Sequence, residues 1–362
     1  MTKRRDRGNG GPGGPQFRPA WWLPGRHLQT LWSRILRRGP TVAMRRETWT
    51  TPDGDDLALD WVDGPEGAPI LLALHGLEGC SRSLYIQGLL HRAKERGWRG
   101  IALNFRSCAA PSFARTGHAN RGPWSRRRYV MNRGRRLYHS GETEDLDWVV
   151  HRLIEREPCV TLLLAGVSLG GNVLLKWLGE RGEAAPAAVR AAAAISVPYD
   201  LAAASRHLES RSGRRYVHYF LRTLKEKSLR FAERHPGVVD VEAVRRARTF
   251  REVDDAAVAP IHGFADAADY YACSSSIDYL DRIRVPALLL SAADDPFLPS
   301  SVLPEVERRA SDAVVCEFTA RGGHAGFVDG PPWAPRPWAE DRAVAFLAAH
   351  AAAERAAAAA LP

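Results

Sequence analysis

The chain is 362 residues long, with 45% hydrophobic and 25% charged residues, an ordinary balance for a globular protein with a sizeable core. Its formal net charge is +10, but no aromatic and basic recognition module accompanies that charge, so nucleic acid is not expected as a partner. The five cysteines show no metal-ligand spacing, and the chain begins with charged residues and glycine rather than an apolar leader. These features predict a metal-free, reduced and cytoplasmic protein.

The N-terminal part of the chain is first polar and then aromatic. Residues 1–18 are basic and rich in glycine and proline, so a disordered tail is predicted. The segment from Trp21 to Trp32 is aromatic enough to pack on the fold or to make weak contact with a membrane surface, and packing is the favoured interpretation. Residues 46–50 and 57–62 then predict two antiparallel strands around the turn at Asp53-Gly54.

Strands and helices alternate from residue 69 onwards. Short apolar runs predict strands that are buried on both faces, and the amphipathic segments between them predict helices. The predicted strands are residues 69–74, 100–105, 159–165, 191–197, 286–291 and 314–318. The predicted helices include residues 84–96, 142–155, 169–178 and 342–359. This alternation predicts an α/β fold with a mostly parallel, doubly wound sheet.

One interval interrupts the alternation. Residues 199–284 look helical and polar, which predicts a cap inserted over the carboxyl ends of the strands, where ligands bind in such folds. The predicted organisation is a core of residues 19–198 and 285–350, this cap, and an alanine-rich C-terminal tail of residues 351–362. Cys159 and Cys316 stand at or inside apolar runs and are predicted to be core thiols.

The strongest chemical motif is Gly166-Val167-Ser168-Leu169-Gly170. The pattern G-x-S-x-G occurs by chance, but here it follows a buried strand and opens a helix, the context in which it forms a nucleophile elbow. Such a tight turn strains the backbone at the serine and leaves no room for side chains at residues 166 and 170. We therefore predict that Ser168 is a catalytic nucleophile.

A serine nucleophile requires a base, and the base requires an orienting acid. In this type of fold the chain order is serine, acid, histidine. His324, in a glycine loop directly after a strand, is the predicted base. Asp295 is the predicted acid because of its spacing to Pro299, and Asp294 is the alternative; the other aspartate is expected to hydrogen-bond the loop backbone. Packing or surface roles are predicted for the histidines of the cap interval: His207, His218, His235 and His262.

Two backbone N–H groups are needed to stabilise the oxyanion of such a reaction. Leu169, directly after the nucleophile, is predicted to supply one of them. Leu77, in the loop His75–Gly79 that follows an early strand, is predicted to supply the other. Cys80 and Cys108 lack a strand–turn–helix setting and are not predicted nucleophiles. This set of groups requires no cofactor.

Further motifs extend over nearly the whole chain from about residue 20. They are HLQTL at 27–31, HGLEG at 75–79, NFR at 104–106, YHSGETED at 138–145, GVSLGGN at 166–172, SVP at 196–198, APIHGF at 259–264, DYY at 269–271, DDPF at 294–297 and GGHAGF at 322–327. Together they resemble the YheT/EMB8-like family of α/β hydrolases, which also includes the animal ABHD1, ABHD2 and ABHD3 proteins. The resemblance implies the α/β-hydrolase fold, a triad of Ser168, Asp295 and His324, and hydrolysis of carboxylic esters, with lipid esters as substrates of some relatives.

Two departures from the family pattern are present. After NFR the family usually continues Gly-Cys-Ser, where this chain has Ser107-Cys108-Ala109. The animal relatives also carry an N-terminal membrane helix that is not expected here. The segment 138–145 is expected to enter a helix with Ser140 as its N-cap.

The predicted function is a serine hydrolase that cleaves a small-molecule or lipid carboxylic ester through an acyl-enzyme. The alternatives are a thioesterase or amidase on the same fold and a non-catalytic binding protein. Neither the acyl chain length nor the oligomeric state follows from the sequence.

Overall fold

The computed structural model describes residues 16–33, 37, 39–111, 129–210 and 213–359. Most of the predicted N-terminal tail therefore lies outside the described residues. Its last part differs from the prediction, because the ring of Phe17 packs 5.6 Å from that of Phe327 and 5.2 Å from that of Trp338, between ring centroids. A single aromatic residue in a glycine and proline run has no periodicity, so the sequence did not indicate this contact.

Eight strands among the described residues form one sheet. They are β1 (Arg45–Thr50), β2 (Asp56–Val62), β3 (Ile70–Leu74), β4 (Arg99–Asn104), β5 (Leu162–Val167), β6 (Val189–Ile195), β7 (Ala287–Ala292) and β8 (Val314–Thr319). Their order in the sheet is β1-β2-β4-β3-β5-β6-β7-β8. β2 pairs antiparallel with β1 and β4, and the strands from β4 to β8 pair in parallel. The prediction of a mostly parallel sheet with an antiparallel start is confirmed.

Helices alternate with these strands and also fill the interval between β6 and β7. In chain order they are α1 (Arg26–Leu31), α2 (Leu84–Glu95), α3 (Glu144–Arg156), α4 (Leu169–Arg181), α5 (Leu201–Leu208), α6 (Arg214–Arg234), α7 (Val241–Arg246), α8 (Phe250–Val253), α9 (Ala259–His262), α10 (Ala267–Ser274), α11 (Leu303–Arg309) and α12 (Trp338–Ala359). A short antiparallel hairpin, β9 (Val328–Asp329) and β10 (Arg336–Pro337), precedes α12.

Both faces of the sheet are covered, which explains why its central strands read as unbroken apolar runs. In β3, Leu72 and Leu74 belong to a buried cluster with side chains of α3 and α4, whereas Leu71 belongs to a second cluster with side chains of α2 and α12. Burying a single leucine in this way stabilises the folded state by about 1.5–3 kcal/mol. The sheet is therefore a rigid layer whose carboxyl edge can carry a site.

The interval predicted as a cap, residues 199–284, lies against that carboxyl edge. Side chains of α5, α6 and α8 form an apolar cluster with Phe297 and Leu298 of the loop after β7, and Leu77 of the loop after β3 packs on the same cluster. These contacts place the inserted helices beside the loops in which the site residues were predicted.

Two local predictions are wrong. Cys159 is exposed rather than buried, because β5 begins only at Leu162 and Cys159 lies in the turn before it. Ser140 is not an N-cap, because α3 begins at Glu144, with Thr143 at the capping position. Acidic residues do occupy the first turn of α3, as expected for its dipole.

The C-terminal helix α12 continues to Ala359, beyond residue 350 where the core was predicted to end. The last residues of the predicted alanine-rich tail, 360–362, lie outside the described part of the chain. Among the described helices, none combines the length and apolar character needed to cross a membrane.

Candidate active site

Ser168 occupies the turn between β5 and α4. Its backbone has φ 55° and ψ −122°, a strained conformation for a residue with a side chain. A Cβ atom at Gly166 would lie 2.4 Å from the Gly170 carbonyl oxygen, and one at Gly170 would lie 2.5 Å from the Leu74 carbonyl oxygen. Only glycine fits at these two positions, so the G-x-S-x-G sequence is dictated by the geometry of the elbow.

Ser168, His324 and Asp295 form a continuous chain of hydrogen bonds. Nε2 of His324 lies 2.9 Å from Oγ of Ser168, and Nδ1 lies 2.9 Å from Oδ2 of Asp295. A carboxylate can only accept, so Nδ1 carries the proton and Nε2 is free to accept from the serine hydroxyl. His324 is 8% exposed and Asp295 1%, so water competes little for these contacts.

The two neighbouring aspartates have different partners. Asp295 contacts His324 and also accepts a hydrogen bond from the N–H of Phe297 at 2.7 Å. Asp294 accepts a hydrogen bond from the N–H of Gly323 at 2.9 Å and so ties the loop after β7 to the loop that carries His324. The structure places Asp295 against the imidazole and Asp294 against the loop backbone.

The peptide group between Gly76 and Leu77 is fixed by two hydrogen bonds to its carbonyl oxygen. Nε2 of His75 accepts the N–H of Phe105 at 3.1 Å, so Nδ1 of His75 donates to the Gly76 carbonyl at 2.8 Å. The N–H of Gly79 donates to the same carbonyl at 2.8 Å. Because a trans peptide is planar, fixing this oxygen aims the Leu77 N–H in the opposite direction.

The two N–H groups predicted for the oxyanion are available to a ligand. Neither Leu77 nor Leu169 donates its backbone N–H to another of the described residues. Ser168 lies beside the loop that contains Leu77: a Cβ atom built on Gly76 would lie only 3.0 Å from Cβ of Ser168. Leu169 adjoins the serine in sequence, so both unoccupied donors belong to backbone segments next to Ser168.

The HLQTL motif on α1 has a role that sequence reasoning missed. Oγ of Thr30 accepts the backbone N–H of His324 at 2.8 Å, and Oε1 of Gln29 accepts the N–H of Val328 at 2.7 Å. The backbone of α1 also approaches so closely that a Cβ atom on Gly323 would lie 2.5 Å from the Arg26 carbonyl oxygen. The helix therefore positions the loop that carries the imidazole, a contact across almost 300 residues of sequence that local patterns do not reveal.

An apolar wall adjoins the imidazole. The ring of Phe297 stacks on His324 with 4.0 Å between centroids, and the ring of Tyr216 on α6 meets Phe297 edge-on at 4.8 Å. Leu77 packs on the same cluster of cap side chains. A bound molecule at Ser168 would thus meet hydrocarbon on this side.

A buried ion pair links the cap to the loop of Leu77. Lys227 on α6 is 3% exposed, and its Nζ donates to Oε1 of Glu78 at 2.7 Å. The hydroxyl of Tyr138 donates to the same oxygen at 2.7 Å and accepts the N–H of Glu78 at 2.9 Å. Sequence reasoning did not identify Lys227, because an isolated lysine in a polar helix has no signature. Burial raises the pKa of the neighbouring Cys108 thiol to about 12, which keeps it protonated and poorly nucleophilic.

One group of side chains in the described part of the chain has the types that bind metals. Ligand atoms of His139, Glu142 and His262 lie within 4.8 Å of one another. Arg136, however, already donates to Oε2 of Glu142 at 2.6 Å, and Oε1 accepts the N–H of Glu144 at 3.1 Å. Because the carboxylate is neutralised by the guanidinium and caps a helix, we assign no metal to this cluster.

Comparisons with known proteins identify the family of the chain. A profile of the alpha/beta hydrolase fold matches residues 69–331. The protein "Putative esterase YheT" of Escherichia coli is 36% identical over 332 residues, which cover 90% of this chain and 91% of that one. The chain belongs to the YheT/EMB8-like family of α/β hydrolases. "Phospholipase ABHD3" of Mus musculus is 32% identical over 87% of this chain and 74% of its own, and "Embryogenesis-associated protein EMB8" of Picea glauca is 27% identical over 92% and 72%.

Solved structures share the fold of this family member at low sequence identity. An esterase of Pyrococcus furiosus superposes with a TM-score of 0.52 and 16% identity, covering 86% of this chain and 97% of that one. The 2,6-dihydroxy-pseudo-oxynicotine hydrolase superposes with the same TM-score and identity, covering 90% and 72%. At 16% identity, these two similarities show a shared fold.

Proposed function

We propose that the chain is a serine hydrolase that cleaves carboxylic esters through an acyl-enzyme. The observation that carries the proposal is the pair of 2.9 Å contacts that join Ser168 to His324 and His324 to Asp295. A serine hydroxyl is a weak nucleophile until a base in hydrogen-bond contact removes its proton. The relatives named as an esterase and a phospholipase support the same class of reaction.

In the proposed first step, Oγ of Ser168 attacks the ester carbonyl carbon while Nε2 of His324 takes the hydroxyl proton. The carbonyl oxygen becomes an oxyanion that the N–H groups of Leu77 and Leu169 stabilise. The alcohol leaves with the proton from His324, and the acyl group stays on Ser168. In the second step a water molecule, deprotonated by His324, attacks the acyl-enzyme and releases the carboxylic acid.

Asp295 has an orienting and electrostatic role in this mechanism. Its contact with Nδ1 selects the tautomer in which Nε2 can accept a proton, and its negative charge stabilises the imidazolium that forms in each step. No step requires a metal or an organic cofactor.

The apolar wall of Phe297, Tyr216 and Leu77 supports an ester with a hydrocarbon acyl or alcohol portion. Burial of hydrocarbon is worth about 0.8 kcal/mol per methylene group, so longer acyl chains should bind more tightly until the wall is fully covered. A lipid ester and a short-chain ester are both included in this proposal. A cytoplasmic location and the absence of nucleic-acid partners remain predictions from composition.

The test is hydrolysis of p-nitrophenyl esters from acetate to palmitate by the wild type and by Ser168→Ala. The proposal predicts turnover by the wild type and a fall of about 10⁴-fold or more in the variant. Turnover that persists in Ser168→Ala would refute Ser168 as the nucleophile. Matched thioester and anilide substrates separate the ester specificity from the thioesterase and amidase alternatives.

A further inference from the structure

The rim beside the His324 loop carries two tryptophans that face solvent. Trp21 is 75% exposed and Trp333 is 81% exposed, more than any other large hydrophobic residue described in the structure. Single exposed apolar residues are common, but tryptophan is usually packed, and exposed tryptophans are typical of surfaces that meet a membrane interface.

Hydrogen bonds and packing between their two segments bring the two tryptophans to one edge of the molecule. The indole N–H of Trp22 donates to the Gly330 carbonyl at 2.9 Å, and Gly330 begins the turn that contains Trp333 between β9 and β10. The side chains on either side of Trp21, Ala20 and Trp22, pack in a small cluster with Val328. Trp21 therefore projects from a segment that is anchored on both sides. Of the three tryptophans in this segment, Trp22 and Trp32 pack on the fold and Trp21 is exposed.

This edge adjoins the proposed catalytic machinery. The segment of Trp21 continues into α1, which holds His324 through Thr30 and Val328 through Gln29. Leu28 on the same helix is 45% exposed. A surface that seats these side chains would lie next to the loop that carries the imidazole.

The charge of the rim favours an anionic partner. The two described segments that carry the exposed tryptophans, residues 16–33 and 330–339, contain three arginines and neither aspartate nor glutamate. Arg18 is exposed, and the side chain of Arg336 is 61% exposed beside the largely buried Asp329. Aromatic side chains with arginines and few carboxylates match the headgroup region of an anionic bilayer.

We propose that the tryptophan rim, formed by Trp21, Leu28 and Trp333 with Arg18 and Arg336, docks the protein on an anionic phospholipid surface. Docking there would place Ser168 beside a reservoir of apolar esters, and this consequence rests on the proposed hydrolase function. The binding itself does not depend on catalysis.

The experiment is co-sedimentation of the full-length Ser168→Ala protein with vesicles of phosphatidylcholine alone and of phosphatidylcholine mixed with phosphatidylglycerol. Binding is expected to the mixed vesicles, with a blue shift of tryptophan fluorescence, and to weaken as salt is added. The double substitution Trp21→Ala/Trp333→Ala should lower the partition coefficient by about tenfold or more. Val130→Ala, at a residue that is 52% exposed but outside the rim, should leave it unchanged.

Absence of binding to the mixed vesicles, or equal binding by the double tryptophan variant, would overturn the docking proposal. A dimer in lipid-free solution that disappears in the double variant would also overturn it, because the rim would then bind a second copy. Hydrolysis of p-nitrophenyl acetate by the same variant in a Ser168 background should match the wild type. A protein with Ser168 that shows no hydrolysis but still binds vesicles would contradict the proposed hydrolase function and support the docking proposal.

Discussion

The ring of Phe297 lies parallel to the imidazole of His324, with 4.0 Å between their centroids and 18° between their planes. Phe297 in turn is held by Tyr216 and Phe220 of α6. The inserted helices thus touch the proposed base through one aromatic ring, and the position of the cap and the position of the imidazole are coupled.

Replacement of Phe297 by alanine should weaken catalysis. The substitution removes the surface against which the imidazole packs, and a displacement of about 1 Å in a catalytic group can cost about 10²-fold in rate. We expect kcat for p-nitrophenyl butyrate to fall by about tenfold or more. Phe297→Leu keeps most of the packing volume and should retain most of the rate; an unchanged kcat in folded Phe297→Ala would contradict the coupling.

The adjacent aspartates provide a matched pair for testing the acid. Asp295→Asn should lower kcat by about 10³–10⁴-fold, because an amide can present its N–H₂ to Nδ1 and favour the wrong tautomer of His324. Asp294→Asn keeps a carbonyl that can accept the N–H of Gly323 and should change kcat by less than about tenfold. Steady-state kinetics of the two variants, measured side by side, shows which aspartate orients His324. A larger loss of kcat in Asp294→Asn than in Asp295→Asn would assign this role to Asp294.

Thr30 is expected to support the His324 loop from a distance in sequence. Thr30→Val keeps the shape but leaves the buried N–H of His324 without an acceptor, at a cost of about 1–3 kcal/mol in the free energy of unfolding. We expect lower stability in urea denaturation and a lower kcat with little change in KM. Thr48→Val, an exposed position on β1, is the control, and equal stability of the two variants would refute the supporting role.

The buried charges of Lys227 and Glu78 are expected to stabilise each other in the folded state. Lys227→Met leaves the buried carboxylate of Glu78 without its cation and should destabilise the protein by about 3–5 kcal/mol. The double substitution Lys227→Met/Glu78→Gln removes both charges and should recover part of that loss. Urea denaturation of the two single variants and the double variant measures the coupling energy, and purely additive effects would contradict a direct pair.

The double variant also tests whether this pair affects the neighbouring Leu77. If the pair positions the Leu77 N–H, the double variant should keep a lower kcat even where its stability recovers, because oxyanion stabilisation acts on the transition state. KM should change little. A double variant with wild-type kcat would limit the pair to a structural role.

The cap should loosen in acid because of His262. Burial, and then the charges of Arg136 and Arg106, lower the pKa of His262 to about 4, whereas an unfolded imidazole has a pKa of about 6.5. Between these values the unfolded chain binds more protons than the folded one, so the free energy of unfolding falls as the pH drops from about 6.5 to about 4. Burial also raises the pKa of Asp254 to about 7. Protonation of this carboxyl group increases the free energy of unfolding as the pH falls over much of the same range, and so opposes the effect of His262.

A variant separates these two contributions. Urea denaturation at about pH 7.5 and about pH 4.5 should show a loss of stability on acidification that is smaller in His262→Gln than in the wild type, by about 1–3 kcal/mol. His151→Gln, at a side chain that is 49% exposed, should behave like the wild type. Equal acid losses in all three proteins would show that His262 does not contribute.

The sequence was most informative where backbone geometry restricts residue type. The elbow at Ser168 requires glycine on both sides, and the apolar runs of β3 and β5 are too short for helices and fit strands buried on two faces, so the elbow and the sheet were predictable. Element boundaries were less certain, as the exposed Cys159 shows. Strand limits depend on where pairing with a neighbour begins, which no single segment encodes.

The supports of the site were not predictable from local patterns. Thr30 lies far from His324 in sequence, and Lys227 lies far from Glu78, yet each pair is within hydrogen-bond distance. Such contacts arise only when the helices pack on the sheet. The motifs HLQTL and HGLEG were visible in the sequence, but their roles depend on partners that only the folded chain brings near.

The proposed mechanism depends on Ser168 being a nucleophile that His324 activates. The most direct test is reaction of the folded protein with a fluorophosphonate, followed by mass spectrometry of the labelled peptide, in the wild type and in His324→Ala. We expect one adduct, on Ser168, that forms rapidly in the wild type and at least about 10³-fold more slowly without the imidazole. Failure of the folded wild type to react, or an adduct on another residue, would contradict the proposed mechanism.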